Sequence, residues 1–507
     1  MTNPALVEHS LPTLVEAIRR GEISAEAVAN TYLDRVAKFD PELGAFLTVQ
    51  REETLEAARA IDQKRARGEP LGALAGVPIG IKDALCTKDV PTTSGSRILV
   101  RSNGAGADPS HGFRPPYDAT VVARLRAADA LLIGKTNLDE FAMGSSNENS
   151  AFFPARNPWD TSRIPGGSSG GSAVAVSAGL ALGALGSDTG GSIRQPAGLT
   201  GTVGIKPTYG RVSRYGLLAF ASSLDQVGPF AADVRSAARI LHVIAGHDPH
   251  DQTSLPAAVD AYEHACDRDV RGLRIGVPEE YFGEGLAAEV ESRVREALKA
   301  LEAQGCTLHP VRLPHTKYAV ATYYVLATAE ASSNLARYDG LRFGARARSA
   351  TNLDTLYART RGENFGREVA RRIVLGTFVL STGYYDAYYL RAQRVRTLLR
   401  RDFEEAFRDV DVIATPVSPT VAFPLGERID DPLAMYLADV YTLPASLAGI
   451  PAISVPCEPT AATATTPELP VGLQLMGRPL DESTLCAVAA AWERLSPARG
   501  RRPPRFA

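Results

Sequence analysis

The sequence predicts an α/β fold, in which helices cover a sheet. Short apolar runs, such as residues 77–81 and 130–134, are typical of strands. They alternate with segments in which apolar residues recur at helical spacing, and this alternation indicates one layered sheet with helices. The chain of 507 residues exceeds an average domain. One large sheet can absorb that length, so we expect a single domain over residues 1–507.

The elements follow in order along the chain. Helices are expected over about the first 70 residues, where Leu11, Leu14, Val15 and Ile18 share one helical face and Ser24 begins a second helix. Residues 101–116 are rich in glycine and proline and predict an irregular surface loop. The remaining expected segments are helices over 52–67, 119–128, 233–245 and 287–304, and long, largely helical stretches over 318–338 and 366–407. Strands are expected over 273–278, 410–415 and 450–455.

Composition excludes several classes of protein. Apolar residues make up 45% and charged residues 22% of the chain, which excludes a disordered or fibrous protein. The 55 basic residues nearly cancel the 57 acidic ones, so no global basic field exists to hold nucleic acid. The five cysteines form no CxxC pair, which indicates reduced thiols in a cytoplasmic protein. No secretory signal and no apolar run of membrane-spanning length is seen, so we expect no contact with a membrane.

Three partial motifs point to other chemistry and are incomplete. Gly134-Lys135-Thr136 resembles the end of a phosphate-binding loop, but the first glycine of that motif falls on Asp129. Residues 247–250 contain two histidines that suggest a metal clip, but a proline between them favours a surface turn. Residues 167–171 read GxSxG, yet the preceding segment is a poor strand and the later histidines lie in polar or turn contexts.

A glycine-rich segment is the compositional anomaly of the chain. Residues 166–204 contain twelve glycines. Glycine costs ~0.5–1 kcal/mol per position in regular structure, so this density indicates turns with positive φ or close approach of the backbone to a ligand. The alternative, a flexible linker, does not fit the apolar runs interleaved with the glycines. The segment also carries five serines, Ser168, Ser169, Ser172, Ser187 and Ser192.

A lysine stands at the end of an apolar strand upstream of these serines. A serine is a poor nucleophile until a base removes its proton, and a lysine can be that base only when it is neutral. Its pKa must then fall from ~10.4 to near 7–8, which requires a buried amine. The apolar run 77–81 directly before Lys82 favours burial of its amine. Asp83 is expected to point to the opposite face of the strand, because neighbouring strand residues do so. Taken alone, such a lysine is more often a solvated surface residue.

Three segments together resemble the amidase signature family. They are Gly80-Ile81-Lys82-Asp83, the run 166–172 and the run 186–194. Ser168 and Ser192 are 24 residues apart, as the family requires. The resemblance implies the amidase-signature fold, a large mixed central sheet covered by helices on both faces. It also implies a catalytic core at about 71–230 and a helical insertion on the substrate side at about 315–407.

The resemblance also implies the catalytic groups. In the family, a lysine, a serine joined through a cis peptide bond and a nucleophilic serine form a triad, and by position these are Lys82, Ser168 and Ser192. Ser192 would attack an amide carbonyl while Ser168 relays its proton to neutral Lys82. No metal takes part. The oxyanion hole would consist of four successive backbone N–H groups, those of Thr189, Gly190, Gly191 and Ser192.

Later segments resemble one branch of the family, which serves bacterial tRNA-dependent amidotransferases. These segments are residues 141–146, 206–213, 222–226, 376–389 and 435–439. The resemblance implies glutamine as the amide donor, contacted by Tyr323, Arg372 and Asp439. A guanidinium suits the α-carboxylate, a carboxylate suits the α-ammonium, and a phenol can orient the side chain.

In that branch the chain is one component of a heterotrimer. The resemblance implies two partners, the B and C subunits, and ammonia that passes to a partner. It implies no cofactor in this chain, ATP and Mg on the partner, and misacylated tRNA held mainly through that partner. The acceptor is Glu-tRNA(Gln), Asp-tRNA(Asn) or both. A free-standing amidase with the same triad and a catalytically silent scaffold are the alternatives.

Overall fold

One mixed sheet organises the computed structural model, which describes residues 6–100, 108–463 and 466–506. Within these residues the sheet has 11 strands in the order β1-β3-β2-β4-β6-β5-β10-β11-β9-β7-β8. The predicted α/β fold with a large mixed sheet is confirmed. The strands are β1 Phe46–Val49, β2 Pro78–Lys82, β3 Leu131–Thr136, β4 Gly183–Asp188, β5 Val203–Lys206, β6 Gln226–Ala231, β7 Arg274–Pro278, β8 Thr307–Val311, β9 Val412–Pro416, β10 Ala452–Pro456 and β11 Gly472–Gly477.

Helices connect the strands and pack against the sheet and one another. The α-helices within the described residues are α1 Leu11–Arg20, α2 Ala25–Leu43, α3 Arg51–Ala66, α4 Thr120–Ala127, α5 Gly170–Ser177, α6 Arg194–Thr200, α7 Val234–Ile244, α8 Tyr262–Ala265, α9 Ala288–Ala303, α10 Ala319–Leu335, α11 Leu353–Asn364, α12 Arg367–Val379, α13 Arg391–Asp409, α14 Pro432–Leu437, α15 Leu443–Ala448 and α16 Glu482–Leu495. The Ser24 side chain accepts a hydrogen bond from the amide of Ala27 and so caps α2, as the sequence predicts.

Three parallel strands in the sheet set the position of the candidate site. β2 lies between β3 and β4 and runs parallel to both, with Ile81 opposite Lys135 on one side and Leu185 on the other. The carboxyl ends of parallel strands meet at one edge of a sheet. Residues that follow β2, β3 and β4 therefore come together there, although they are far apart in sequence.

A second hydrophobic cluster lies under the helices of the region 315–407. Leu326, Val369 and Leu399 bring α10, α12 and α13 together in this cluster. The backbones of α10 and α12 touch at Gly376, where an added Cβ would lie 1.9 Å from the carbonyl oxygen of Thr328. No side chain larger than hydrogen fits between the two helices at that point.

Residues 366–407 are largely helical, as expected, and the structure divides this stretch into separate helices. α12 ends at Val379, and the chain turns at Gly383, whose φ of 86° is in the left-handed region that favours glycine. A π-helix over Tyr385–Leu390 then leads directly into α13.

The structure also describes the cysteines and part of the predicted loop. All five cysteines are buried and free. Residues 101–107 of the predicted loop lie outside the described residues; the part that follows includes a 3₁₀ turn at Pro109–His111. Among the helices described here, none is both long and apolar enough to cross a membrane. The described ranges also contain no group of three or more His, Cys, Asp or Glu side chains that could hold a metal ion.

Candidate active site

The amine of Lys82 lies in the interior, at the carboxyl end of β2. Its Nζ donates to Ser168 Oγ at 2.7 Å, Ser169 Oγ at 2.8 Å and Ser187 Oγ at 2.9 Å. Lys82 is fully buried, and its hydrogen-bond partners within the described residues are three hydroxyl groups and the carbonyl of Ser187. No carboxylate in the described residues touches the amine, so nothing in direct contact compensates a positive charge there.

This environment changes the protonation of the lysine. Burial lowers the pKa of Lys82 from its ordinary value of 10.5 to about 7, because the interior disfavours the ammonium form. The more distant carboxylates of Asp139, Asp188 and Asp225 act in the opposite direction and raise that pKa. A large part of the Lys82 population is therefore neutral at neutral pH, as a base requires.

Ser168 follows a cis peptide bond between Gly167 and Ser168. The peptide is held by Asp139, which lies after β3 at the same edge of the sheet. The amide of Asp139 donates to the carbonyl of Ser168 at 3.2 Å, and an added Cβ on Gly167 would lie 2.1 Å from the Asp139 carboxylate. That carboxylate also accepts from the amides of Asn147 and Asn149 at 2.9 and 3.0 Å. Burial raises the pKa of Asp139 to about 6.

Ser192 lies at the end of a glycine loop between β4 and α6. It is 7% exposed, in contrast to the fully buried Ser168. Within the described residues no hydrogen bond joins the two hydroxyls, so the predicted proton relay from Ser192 to Ser168 stays a prediction. The segments that carry Ser168 and Ser192 are joined by a hydrogen bond from the amide of Ser169 to the carbonyl of Ser192 at 3.2 Å.

A buried ion pair fixes both ends of this loop. The Arg194 guanidinium donates from Nε and Nη2 to the two carboxylate oxygens of Asp188, both at 2.9 Å, and neither side chain is exposed. Burial alone would raise the pKa of Asp188, but the charge and hydrogen bonds of Arg194, together with the charge of Lys206 and the amide of Ile193, outweigh it and lower that pKa. The pair closes residues 189–193 into a short loop. The amide of Ile193, in this loop, also donates to Asp188.

The predicted oxyanion groups lie on this loop. Within the described part of the chain, the amides of residues 189–192 have no hydrogen-bond acceptor, so they are available to a ligand. Gly191 has a φ of 145°, and an added Cβ there would lie 2.2 Å from Thr442 Oγ1. On Gly190 a Cβ would lie 2.7 Å from Cζ of Tyr323. The backbone thus approaches its surroundings more closely than any side chain would allow.

The three residues expected to contact glutamine lie around the same loop. Tyr323 on α10 lies against Gly190. Asp439 is linked to the loop through Thr442, whose hydroxyl donates to the carbonyls of Gly190 at 2.7 Å and Asp439 at 3.0 Å. The charge of Arg372 on α12 lowers the pKa of both Tyr323 and Asp439, although burial raises both overall. The structure therefore brings all three to one side of the loop.

Two of these residues have polar atoms without a hydrogen-bond partner among the described residues. Arg372 donates from Nε to Glu368 at 2.8 Å, and its terminal nitrogens have no acceptor among the residues described. Asp439 accepts a short hydrogen bond from the Ser145 hydroxyl through Oδ2, while its buried Oδ1 has no partner in the described chain. Burial raises the pKa of Asp439 to about 7. An unpaired buried acceptor and free guanidinium donors suit a ligand that carries an ammonium and a carboxylate.

Sequence reasoning misses several groups at this site. Ser169 and Ser187 stand out in the sequence only as serines of the glycine-rich segment, yet both bind Lys82. Asp139 and Ser145 have no role that the sequence assigns. Asp139 follows a predicted strand by a few residues, and a polar residue after a strand beside that of Lys82 is a usable signal. Ser145 could not be paired with Asp439, because 294 residues separate them.

Most of the chain matches a known family. A family model described as Amidase matches residues 27–486, and the chain belongs to the amidase family. Among its relatives, the A subunit of the glutamyl-tRNA(Gln) amidotransferase of Chloroflexus aggregans is 57% identical over 487 residues, or 96% of each chain. The protein of the same description from Myxococcus xanthus is 58% identical over 489 residues, which cover 96% of this chain and 97% of that one.

A solved structure extends the likeness from sequence to fold. The crystal structure of the glutamyl-tRNA(Gln) amidotransferase A subunit from Thermotoga maritima superposes with a TM-score of 0.79. It is 42% identical, and the match covers 99% of this chain and 98% of that chain. The resemblance predicted from the motifs is confirmed over nearly the full length.

Proposed function

We propose that this chain is the glutaminase component of a tRNA-dependent amidotransferase. The proposal rests most on one observation, a fully buried lysine whose side-chain contacts are serine hydroxyls and whose pKa is lowered to about 7. The similarity to proteins described as the A subunit of glutamyl-tRNA(Gln) amidotransferase supports this assembly over a free-standing amidase.

The first half of the reaction transfers the γ-glutamyl group to Ser192. The Ser192 Oγ bonds to the amide carbon of glutamine, its proton moves to Ser168, and Ser168 passes its own proton to neutral Lys82. The loop amides of residues 189–192 stabilise the oxyanion that forms. The carbon–nitrogen bond then breaks, and the proton returns from Lys82 through Ser168 to the departing nitrogen, which leaves as ammonia.

The second half regenerates the enzyme. Water bonds to the carbonyl carbon of the γ-glutamyl ester, and its proton follows the same relay to Lys82. The ester bond to Ser192 breaks, and the proton returns to the serine oxygen. The sum is glutamine plus water giving glutamate plus ammonia, with no change in the protein.

Recognition of glutamine uses the three residues around the loop. The free Nη groups of Arg372 bind the α-carboxylate, the carboxylate of Asp439 accepts from the α-ammonium, and the Tyr323 phenol orients the side chain. The approaching ammonium also favours the ionised form of Asp439, whose pKa is about 7 without it.

Ammonia is used elsewhere in the assembly. We propose a heterotrimer with the B and C subunits. The partner holds ATP and Mg and most of the misacylated tRNA, and this chain supplies ammonia without a cofactor of its own. The net charge of −2 agrees with a division of labour in which this chain does not hold the tRNA by itself.

Ser192→Ala separates glutamine hydrolysis from tRNA amidation in the assembled complex. We expect the variant to lose glutamine-dependent amidation of Glu-tRNA(Gln) and to retain amidation when ammonium chloride replaces glutamine. Amidation is measured by the glutamine released on deacylation of the product tRNA, and wild-type complex with either donor is the control. Loss of both activities would show that Ser192 does more than release ammonia. Hydrolysis of simple amides by the chain alone, undiminished without the B and C subunits, would favour a free-standing amidase.

A further inference from the structure

An exposed apolar surface lies on the outer face of α12 and on the π-helix that follows. Val374 is 68% exposed and Phe378, one turn later, is 46% exposed. The ring of Phe378 packs against those of Tyr384 and Tyr388, with centroids 4.4 and 6.1 Å apart. These aromatic side chains contact one another and remain about two-fifths exposed, so they form one continuous surface. Contiguous apolar surfaces of this kind mark interaction sites.

Three unpaired arginines lie on α13, the helix that continues directly from the π-helix of this surface. Arg391, Arg394 and Arg401 are exposed on α13, and their spacing of three and seven residues places them on one face of the helix. None of the three has an ion pair or hydrogen bond within the residues that the structure describes. Over residues 373–401 the sequence has five arginines, no lysine and a single acidic residue, Asp386.

We propose that Val374, Phe378, Tyr384 and Tyr388, with the three arginines as their rim, dock a partner protein that presents an apolar face bordered by carboxylates. We call these seven residues the docking surface. An aromatic centre with an arginine rim is the composition of protein interfaces, in which Tyr, Phe and Arg are enriched and Lys is depleted. RNA fits less well, because base stacking needs open ring faces, and here the Phe378 ring packs against those of Tyr384 and Tyr388. The π-helix also supports a functional role, since such segments are rare and concentrate at functional sites.

The position of the docking surface suits an assembly that uses ammonia. Arg372, which we place against glutamine, lies two residues before Val374 on the same helix, with its side chain on the buried face. A partner on the outer face of α12 would therefore lie against an element that forms the wall of the glutaminase site. The inference rests on the proposed function in one respect, the identity of the partner as the B or the C subunit.

Two substitutions test the docking surface. Phe378→Asp places a charge in the apolar centre, and Arg394→Glu reverses a charge of the rim. Affinity for the co-purified B and C subunits is measured by titration calorimetry, and we expect Phe378→Asp to weaken it ~100-fold, as for a central interface residue, and Arg394→Glu less. Leu495→Glu, which changes an exposed leucine at the end of α16, is the matched control and should assemble like wild type.

Labelling of Ser192 by a fluorophosphonate, detected by intact mass, reports folding and function separately from assembly. Labelled variants that no longer assemble support the inference. Labelled variants that assemble with wild-type affinity overturn it. If Arg394→Glu assembles normally but the complex no longer binds tRNA, the inference is also overturned, and RNA is the favoured ligand of this surface. If wild type assembles but is not labelled, while Phe378→Asp does not assemble, the docking surface stands and the proposed glutaminase function falls.

Discussion

Two lysines on neighbouring strands show what distinguishes a base from a structural cation. Lys82 ends β2 and Lys135 lies on the adjacent parallel β3, and neither side chain is exposed. The Lys135 amine faces the carboxylate of Asp83 at 3.0 Å and also donates to Thr92 Oγ1 at 2.7 Å. The Lys82 amine has hydroxyls and a carbonyl as its partners. Asp83 therefore stabilises an ammonium at Lys135, although it is next to Lys82 in sequence.

A third buried lysine shows that a low pKa is not enough. Burial, helped by the charge of Arg194, lowers the pKa of Lys206 to about 7, as in Lys82. Its amine donates to the carbonyl of Pro207 at 3.0 Å, and among the described residues it reaches no hydroxyl. Lys82 differs because its neutral amine is hydrogen-bonded to a hydroxyl that can pass on a proton. Burial sets the pKa, and the partner decides whether the proton can be used.

The largest expected effect separates Lys82 from Lys135. Lys82→Met removes the base, so kcat for glutamine hydrolysis by the complex should fall by roughly 10²- to 10⁴-fold. Lys135→Met leaves the buried Asp83 carboxylate unpaired, so the free energy of unfolding should fall by about 3–5 kcal/mol while kcat of the folded enzyme stays near wild type. Glutamate release gives the rates, and urea unfolding gives the stabilities.

Lys135→Met combined with Asp83→Leu sharpens this test. With both charges removed, part of the lost stability should return, because no unpaired carboxylate remains. A Lys135→Met protein that is folded but as inactive as Lys82→Met would contradict the distinction between the two lysines.

A smaller effect is expected in glutamine binding. Arg372→Gln removes the charged donors for the α-carboxylate, and a hydrogen bond to a charged group contributes ~1.5–3 kcal/mol, so KM should rise by about 10- to 100-fold with a lesser change in kcat. Arg367→Gln is the matched control on the same helix, since Arg367 is exposed and pairs with Asp430 on the surface. Equal KM values for the two variants would remove Arg372 from the binding site.

The pH dependence is the finest measure of the Lys82 environment. Because burial lowers the pKa of Lys82 to about 7 and the neutral form is the base, kcat at saturating glutamine should fall about tenfold per pH unit well below 7 and level off above it. The negative charge of Asp139 raises that pKa. Asp139→Asn should therefore move the inflection to lower pH, by less than about one unit.

Complex assembled with the Ser192→Ala variant gives the background for this profile. An inflection near the ordinary lysine value in wild type would mean that the catalytic base is not a buried lysine. An inflection that moves upward in Asp139→Asn would show that the carboxylate acts through the peptide at Ser168 rather than through its charge.

The fold was predictable where the pattern of apolar residues is local. The helices α2, α7 and α9 and the strands β2, β3 and β7 lie close to the expected segments. β4 was missed because it lies inside the glycine-rich segment, where Gly183 and Gly186 weaken any strand pattern. The order of the strands was not predictable, since pairs such as β5 with β10 join segments from distant parts of the chain.

The candidate site was predictable in part for a similar reason. Lys82, Ser168 and Ser192 lie in motifs that the sequence displays, so the resemblance could assign them. The contacts of Ser145 with Asp439 and of Arg194 with Thr442 depend on how distant segments meet. Hydrogen bonds of this kind leave no local pattern, so only the three-dimensional structure reveals them.

The close contact at Gly376 has a consequence for how amide specificity can diverge in this fold. α10 and α12 touch backbone to backbone there, and they carry Tyr323 and Arg372. Neither helix can slide toward the other to accept a smaller ligand, and a larger residue at 376 would force them apart. A change of substrate is therefore expected to arise by exchange of the side chains that these two helices carry, with their spacing kept.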